Sequence, residues 1–189
     1  MTLCVVYAPD TGHVLGALAL TGAEAPATDP AALVGPVLPL RVLLGAGRTA
    51  TLPVDARNLA VAAVDAEPGA FDEPSAFAVE QGSGSGSGPK PALLRLQAWK
   101  DGILLTAKDL TVTLPAPVPS TARLTALVCD DQVTHVLAGE IPAGRNEVKL
   151  PVTLDKDTPY GVLVLVSGWA GRLEKVRSEK TEPERTART

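Results

Sequence analysis

The sequence predicts an all-β protein of antiparallel strands, and three observations support this class. Short apolar runs recur along the chain, and several of them alternate apolar with polar residues, which is the period of a half-buried strand. Clusters rich in Gly, Pro, Asp and Asn separate the runs at short intervals. The one candidate for a helical turn, residues 31–34, is stopped by the Gly-Pro pair that follows it. We therefore expect two β-sandwich-like units.

The division into units depends on residues 81–91, where Gly and Ser alternate and a Pro-Lys-Pro sequence closes the run. Such a segment has nothing to bury, which predicts a flexible linker. It separates an N-terminal β unit, residues 1–80, from a C-terminal β-sandwich unit, residues 92–171. Residues 172–189 carry six basic and four acidic side chains, which predicts a charged disordered tail. Such a tail either keeps the chain in solution or docks on a partner.

Six strands are expected in the first unit. Residues 3–8 and 13–20 form a hairpin around the turn sequence Pro-Asp-Thr-Gly at positions 9–12. Pro53 interrupts a predicted strand and cannot donate to a sheet ladder, so we expect it at a sheet edge or a bulge. Pro151 interrupts a strand of the second half at the equivalent place, and we expect a sheet edge there as well. The remaining strands are predicted at residues 38–44, 49–54, 59–64 and 76–80.

Seven strands are expected in the second unit. The Lys-Asp-Gly sequence at residues 100–102 is predicted to turn one strand back onto the next. Residues 122–129 and 133–141 are predicted to pair through the turn at residues 130–132. Residues 162–166 form a continuous apolar run, which predicts burial on both faces of a sheet. The remaining strands are predicted at residues 94–98, 103–106, 110–114 and 148–154.

The two halves share an order of sequence marks. An Ala-Gly-Arg tripeptide precedes Leu-Pro-Val at residues 46–54, and the same two tripeptides recur at residues 143–152. This echo fits a divergent tandem duplication. It equally fits two β units that use the same turn chemistry independently, and the residues leave both explanations open.

Composition excludes some classes of function. Only 3% of residues are aromatic although 46% are hydrophobic, so the core must consist of Val, Leu and Ala. A net charge of -4 and a pI of about 5.2 predict neither nucleic acid nor membrane as a partner. Because no leader or spanning run is evident, we expect a cytoplasmic protein. Cys4 and Cys129 lie in apolar runs, so they are either reduced core thiols or a single bridge between the halves.

No catalytic residue, cofactor or metal site is predicted. His13 and His135 each lack a second histidine at ligand spacing, which favours structural roles. Ser167 lacks the sequence of a nucleophile elbow. Four side chains remain as candidate contacts with a ligand or partner, because acidic turns can bind polar groups and exposed aromatics can stack. They are Asp130, Asp131, Tyr160 and Trp169. The structural alternative is a solvated turn and aromatic residues that fill the core.

These observations lead to two hypotheses about function. The first is a non-enzymatic structural or adaptor subunit of a larger protein assembly, for example a phage-tail-like particle, with other protein subunits as partners. Few aromatics, small half-size cores and a polar tail all suit a part that gains stability from its neighbours. The alternative is a ligand-binding β-sandwich module that uses the four candidate contact residues.

Overall fold

The computed structural model of the protein describes residues 2–20, 29–80 and 91–179. Within these ranges the fold is all-β with antiparallel sheets, which confirms the predicted class. The helices are α1 (Pro30–Val34) and α2 (Gly69–Asp72), and each is a single turn or so. The strands are β1 (Thr2–Tyr7), β2 (Val14–Leu20), β3 (Val37–Gly45), β4 (Arg48–Asp55), β5 (Ala60–Asp65), β6 (Phe77–Glu80), β7 (Ala92–Arg95), β8 (Ile103–Leu105), β9 (Asp109–Thr113), β10 (Ala122–Cys129), β11 (Thr134–Ile141), β12 (Glu147–Pro151), β13 (Pro159–Val166) and β14 (Arg172–Arg177).

A four-stranded sheet with strand order β11-β10-β13-β14 lies at the centre of the molecule. Side chains alternate across its two middle strands: Val128 and Val164 belong to one hydrophobic core, whereas Leu127 and Leu165 belong to another. Both middle strands are therefore buried on both faces. This confirms the prediction for residues 162–166, all of which are buried.

One face of the central sheet packs against a three-stranded sheet with order β12-β9-β8. Together they form a β-sandwich from the second half of the chain. Its core is aliphatic, as the composition predicts, and the two tryptophans are part of it. The core side chains that come from the covering sheet and its flanking loops include Trp99, Leu105, Leu110, Val112, Leu114, Val118, Leu150, Val152 and Leu154, and Trp169 joins them from the turn that follows β13.

The other face of the central sheet is covered by the first half of the chain. The β3–β4 hairpin packs on β13, with side chains such as Leu52 in the shared core. Gly161 allows the two layers to approach, because a Cβ at this position would lie 2.9 Å from the Cβ of Ala50. Val6 and Leu15 from the first hairpin join the same core. The two halves therefore share one hydrophobic core.

A third core lies on the far side of the first half. The sheet β2-β1-β5 presents one face to the shared core and the other to α2 and the β6–β7 pair. Val5 and Phe77 are buried in this outer core. The hairpin predicted around residues 9–12 is confirmed by the antiparallel pairing of β1 with β2.

Strands β6 and β7 stand on either side of the predicted linker, and they pair antiparallel, with Glu80 opposite Ala92. Residues 81–90 themselves lie outside the described residues, so their predicted flexibility stays a prediction. The pairing nevertheless shows that the chain on both sides of them belongs to one hairpin. The division of the chain into separate units at these bounds also stays a prediction.

The turn predicted at residues 100–102 is wrong as a hairpin. The strand before it, β7, pairs with β6, whereas the strand after it, β8, pairs with β9. Asp101 and Gly102 do adopt positive φ angles of 59° and 79°, so the local backbone reversal is real. It redirects the chain from the β6–β7 pair to the sheet that contains β8 and β9.

The disordered tail predicted from residue 172 is wrong for its first part. Residues 172–177 form β14, which pairs with β13 along its length. Arg172 is accommodated because its guanidinium lies 2.6 Å from the Glu174 carboxylate and 5.0 Å from the centre of the Trp99 ring. Val176 packs against the sandwich core. Residues 180–189 lie outside the described residues.

Both prolines expected at sheet edges lie there. In the part of the chain that the structure describes, β4 pairs only with β3, and β12 pairs only with β9. The sequence echo occupies different connections in the two halves. Residues 46–47 turn the β3–β4 hairpin, whereas residues 143–144 join β11 to β12, which lie in different sheets. The tandem duplication therefore remains a hypothesis without structural support.

Candidate functional site

The predicted contact residues Asp130 and Asp131 lie in the turn between β10 and β11, as expected. The Oδ1 atom of Asp130 accepts hydrogen bonds from the backbone N–H groups of Gln132 and Val133, both at 2.7 Å. This is the usual way in which an aspartate stabilises its own turn. Asp131 is exposed to solvent. Of the two carboxylates, that of Asp131 has no hydrogen bond or ion pair to any residue in the described ranges.

Tyr160 is a core residue and is only 2% exposed. Its hydroxyl oxygen accepts a hydrogen bond from the backbone N–H of Asp155 at 3.0 Å. Burial raises the pKa of the phenol above its usual value. Tyr160 lies at the same end of the central sheet as Asp130, but it presents no surface on which a ligand could stack.

Trp169 lies at the opposite end of β13, beyond Val166, and it is also buried. Six extended residue steps of β13, roughly 20 Å, separate Tyr160 from Val166, and a turn at residues 167–168 leads from there to Trp169. The four predicted contact residues therefore do not form one site. The core alternative holds for both aromatic residues, and the turn alternative holds for Asp130.

His13 is a buried polar residue of the first half that forms a hydrogen bond to the second half. Its side chain is fully buried, with Nε2 2.7 Å from the carbonyl oxygen of Trp169 and Nδ1 2.9 Å from Oγ1 of Thr11. Because a carbonyl can only accept, Nε2 donates to Trp169 and Nδ1 of the neutral ring accepts from the threonine hydroxyl. Burial lowers the pKa of His13 to about 4. The structural role predicted for His13 is confirmed.

The two cysteines are both buried, and neither forms a disulfide. This confirms the reduced alternative over a bridge between the halves. Burial raises the pKa of the Cys4 thiol. The Sγ atom of Cys129 lies 2.9 Å from the carbonyl oxygen of Asp130 and 3.3 Å from that of Thr51, and its single hydrogen can be donated to either. The second contact joins β10 to β4.

A groove of about 300 Å³ remains between the two halves, above the central sheet. Its floor is formed by alternate residues of β10, β11 and β13, including Leu127 and Val136. One wall is the end of β4, at Pro53, and the other is the β1–β2 turn, at Asp10. The groove exists because the β3–β4 hairpin covers β14, β13 and β10 but not the outermost strand, β11.

The uncovered strand leaves apolar side chains in solvent. Val136 is 68% exposed, and Ala138, two residues further along the same face of β11, is also exposed. Their cross-strand partners on β10 are Leu127 and Thr125, which line the same groove. The strip of Val136, Ala138, Leu127 and Thr125, which we call the β11 strip, was not found from the sequence. The alternation of β11 would have suggested it, but only the fold shows which face is left bare.

The comparisons with known proteins give no family for this chain: no protein-family model matches it, and no curated protein matches it. Across residues 2–20, 29–80 and 91–179, no three His, Cys, Asp or Glu side chains are grouped as a metal site. In the same part of the chain, neither helix has the length or the apolar character that crossing a membrane would require.

Proposed function

We propose that this chain is a non-enzymatic structural or adaptor subunit that binds another protein chain within a larger assembly. The observation that carries the proposal is the β11 strip. It continues a sheet face that is otherwise buried, yet Val136 within it is 68% exposed. Exposed apolar side chains, here Val136 and Ala138, that lie beside a groove are typical of a protein interaction site.

The edge of the sheet supports the same proposal. Within the described ranges, β11 pairs only with β10, so one side of β11 has no strand partner. Natural edge strands are usually protected by charge, and β11 has one acidic residue near its end, Glu140, but no acidic, lysine or arginine side chain between Thr134 and Gly139. Burying a fully exposed valine contributes about 1.5–3 kcal/mol. A partner that covered Val136 and its neighbours would therefore gain binding free energy, because these apolar side chains are exposed to water in the free subunit.

The buried thiols bear on the compartment. Two unpaired cysteines in apolar surroundings suit a reducing environment, since disulfides are rare in the cytoplasm. We therefore propose a cytoplasmic setting for the assembly. The ligand-binding alternative gains no support, because its four residues lie at opposite ends of the central sheet.

The experiment compares affinity-tagged full-length protein with two lysine variants, purified from the native host. Val136→Lys places a charge in the β11 strip, and Leu43→Lys places the same charge on an equally exposed side chain, 78% exposed, at the tip of the β3–β4 hairpin. We expect a stoichiometric protein partner with the unmodified chain and with Leu43→Lys, and its loss with Val136→Lys. A protein that sediments as a monomer and co-purifies with no stoichiometric partner would contradict the proposal.

A further inference from the structure

The groove indicates what kind of partner segment it fits. We infer that it receives one extended strand of another chain, which adds to the free edge of β4 and carries apolar side chains at alternate positions and a basic residue near one end. This inference rests on the function proposed above, because it specifies how the partner is held. Three features of the groove support it: an open backbone edge, a vacant strand position and an acidic rim.

The open backbone edge follows from two prolines. Pro39 lies directly opposite Pro53 in the β3–β4 hairpin, and neither residue has an N–H group. This pair must therefore be one of the non-hydrogen-bonded pairs of the ladder, in which backbone groups point away from the partner strand. By the same alternation, Thr51 and Asp55 also direct their backbone groups outward from β4.

These outward groups are nearly unused. The Asp55 carbonyl is at the N-cap of the 3-10 helix formed by residues 56–58 and belongs to its first turn. Among the described residues, the only other hydrogen bond to these groups is the weak one from the thiol of Cys129 to the carbonyl of Thr51. Pro53 therefore offers an acceptor and Asp55 a donor beside the groove. Such an edge is the feature that strand addition uses, because main-chain hydrogen bonds supply affinity whatever the side chains.

The vacant strand position follows from the layering. In the layer above the central sheet, β3 lies over β14 and β13, and β4 lies over β13 and β10. Neighbouring strands are about 4.8 Å apart. A strand added to the outer edge of β4 would therefore lie over β10 and β11. Its inward side chains would meet Leu127 and Val136, and since side chains alternate along a strand, every second residue of the partner should be apolar.

The acidic rim gives the partner its charge. Two charged residues, Asp10 and Asp55, line the groove, and both are acidic. The Asp55 carboxylate already pairs with Arg57 at 2.6 Å, whereas Asp10 is exposed at the other wall. In the adjoining depression, which Asp10 also lines, Glu140 lies opposite Arg123 in the β10–β11 ladder. Asp10 is therefore the acidic side chain that remains for a partner, and a lysine or arginine beside the apolar positions would complement it and favour the correct register.

The test uses a display library of random linear nonapeptides, selected on the full-length chain and counter-selected on Val136→Glu. We expect enriched peptides with apolar residues at alternate positions and a Lys or Arg near an end. One enriched peptide is then synthesised in two forms, unmodified and N-methylated at alternate residues on the edge that faces β4. We expect the N-methylated form to bind at least tenfold more weakly, and Asp10→Asn to weaken binding of the unmodified form several-fold.

Each other outcome overturns the inference. Selection that enriches no peptide, or peptides that bind Val136→Glu and Leu43→Lys equally well, would remove the groove as the site. Equal binding of the N-methylated form would leave an apolar contact without strand addition. Concentration-dependent dimers that Val136→Glu dissolves would make a second copy the occupant. A clear loss of thermal stability in Val136→Glu would show that the chain itself covers the strip.

The native-host purification separates this inference from the proposed function. If a stoichiometric partner is recovered but Val136→Lys does not release it, the adaptor function stands and the groove is wrong. If no partner is recovered, the proposed adaptor function itself is wrong. The two proposals therefore fail on different observations.

Discussion

Mild acid should destabilise this protein through His13, and the structure sets the size of the effect. The imidazole is neutral and buried between the Thr11 hydroxyl and the Trp169 carbonyl, and its pKa is lowered to about 4. An unfolded chain binds a proton at a histidine with a pKa near 6.5. Between these two values the unfolded state holds more protons than the folded state, so the free energy of unfolding falls as the pH falls.

The magnitude follows from the same two values. Above pH 6.5 the contribution is fully present, and below it the loss approaches 1.4 kcal/mol per pH unit until about pH 4. From pH 7 to pH 5 we expect a loss of about 2 kcal/mol, which is a large part of the stability of an ordinary domain. This range avoids most of the protonation of ordinary carboxylates.

The assay is urea unfolding at pH 7, 6 and 5, followed by the fluorescence of the two buried tryptophans. His13→Gln should be less stable at pH 7 by about 1–3 kcal/mol, because it disturbs buried hydrogen bonds, but its stability should change much less with pH. His135→Gln is the matched control and should keep the slope of the unmodified protein. Equal slopes for the unmodified protein and His13→Gln would refute the reasoning.

A second measurement keeps the prediction testable if His13→Gln does not fold. The ring protons of His13 in the unmodified protein report its protonation state directly by NMR. We expect no titration of His13 while the protein stays folded above pH 5. A midpoint near 6.5 would show that the buried, neutral state assigned to the ring is wrong.

Three further predictions test the packing. Gly161→Ala should lower the free energy of unfolding by about 1–3 kcal/mol because its Cβ has no room against the β3–β4 hairpin, whereas Gly16→Ala, with open space around it, should be tolerated in urea unfolding. Cys4 and Cys129 should react slowly with a thiol reagent before denaturation and completely after it, and fast labelling of either would contradict their burial. Protease should cut first within residues 81–91, and the two fragments should elute together in gel filtration because the halves share a core; separate elution would contradict that packing.

Local patterns predicted the strands well because each strand carries its own evidence. The first hairpin, the edge prolines and the doubly buried β13 all follow from side-chain alternation and turn chemistry within about ten residues. Which strands pair with each other cannot be predicted in this way, because the sequence of β7 contains no information on which sheet edge it will join. The Gly and Ser of residues 81–91 looked like a boundary, but the strands beside them pair with each other.

The prediction of disorder for the residues of β14 was wrong because it was based on their high content of charged side chains. Arg172 and Glu174 point inward on a strand whose polar residues outnumber its apolar ones, and composition alone predicts disorder for such a segment. In the fold the two side chains satisfy each other at 2.6 Å, and the guanidinium lies over a tryptophan ring that comes from a distant part of the chain. No local window contains Trp99, so this compensation could not be predicted.

The β11 strip could not be predicted for the same reason. It is defined by where the first half stops covering the central sheet, and no local sequence pattern contains that information. The apolar residues of β10 and β13 that face the first half would be exposed if that half were absent, and Leu127 and Leu165 are buried only because the hairpins cover them. The cover ends at β4, one strand short of the sheet edge. Val136 lies on the same face and is left in solvent. The apolar face that joins the two halves therefore extends past β4, the last strand of that layer in the described residues, and a strand from another molecule would complete the layer.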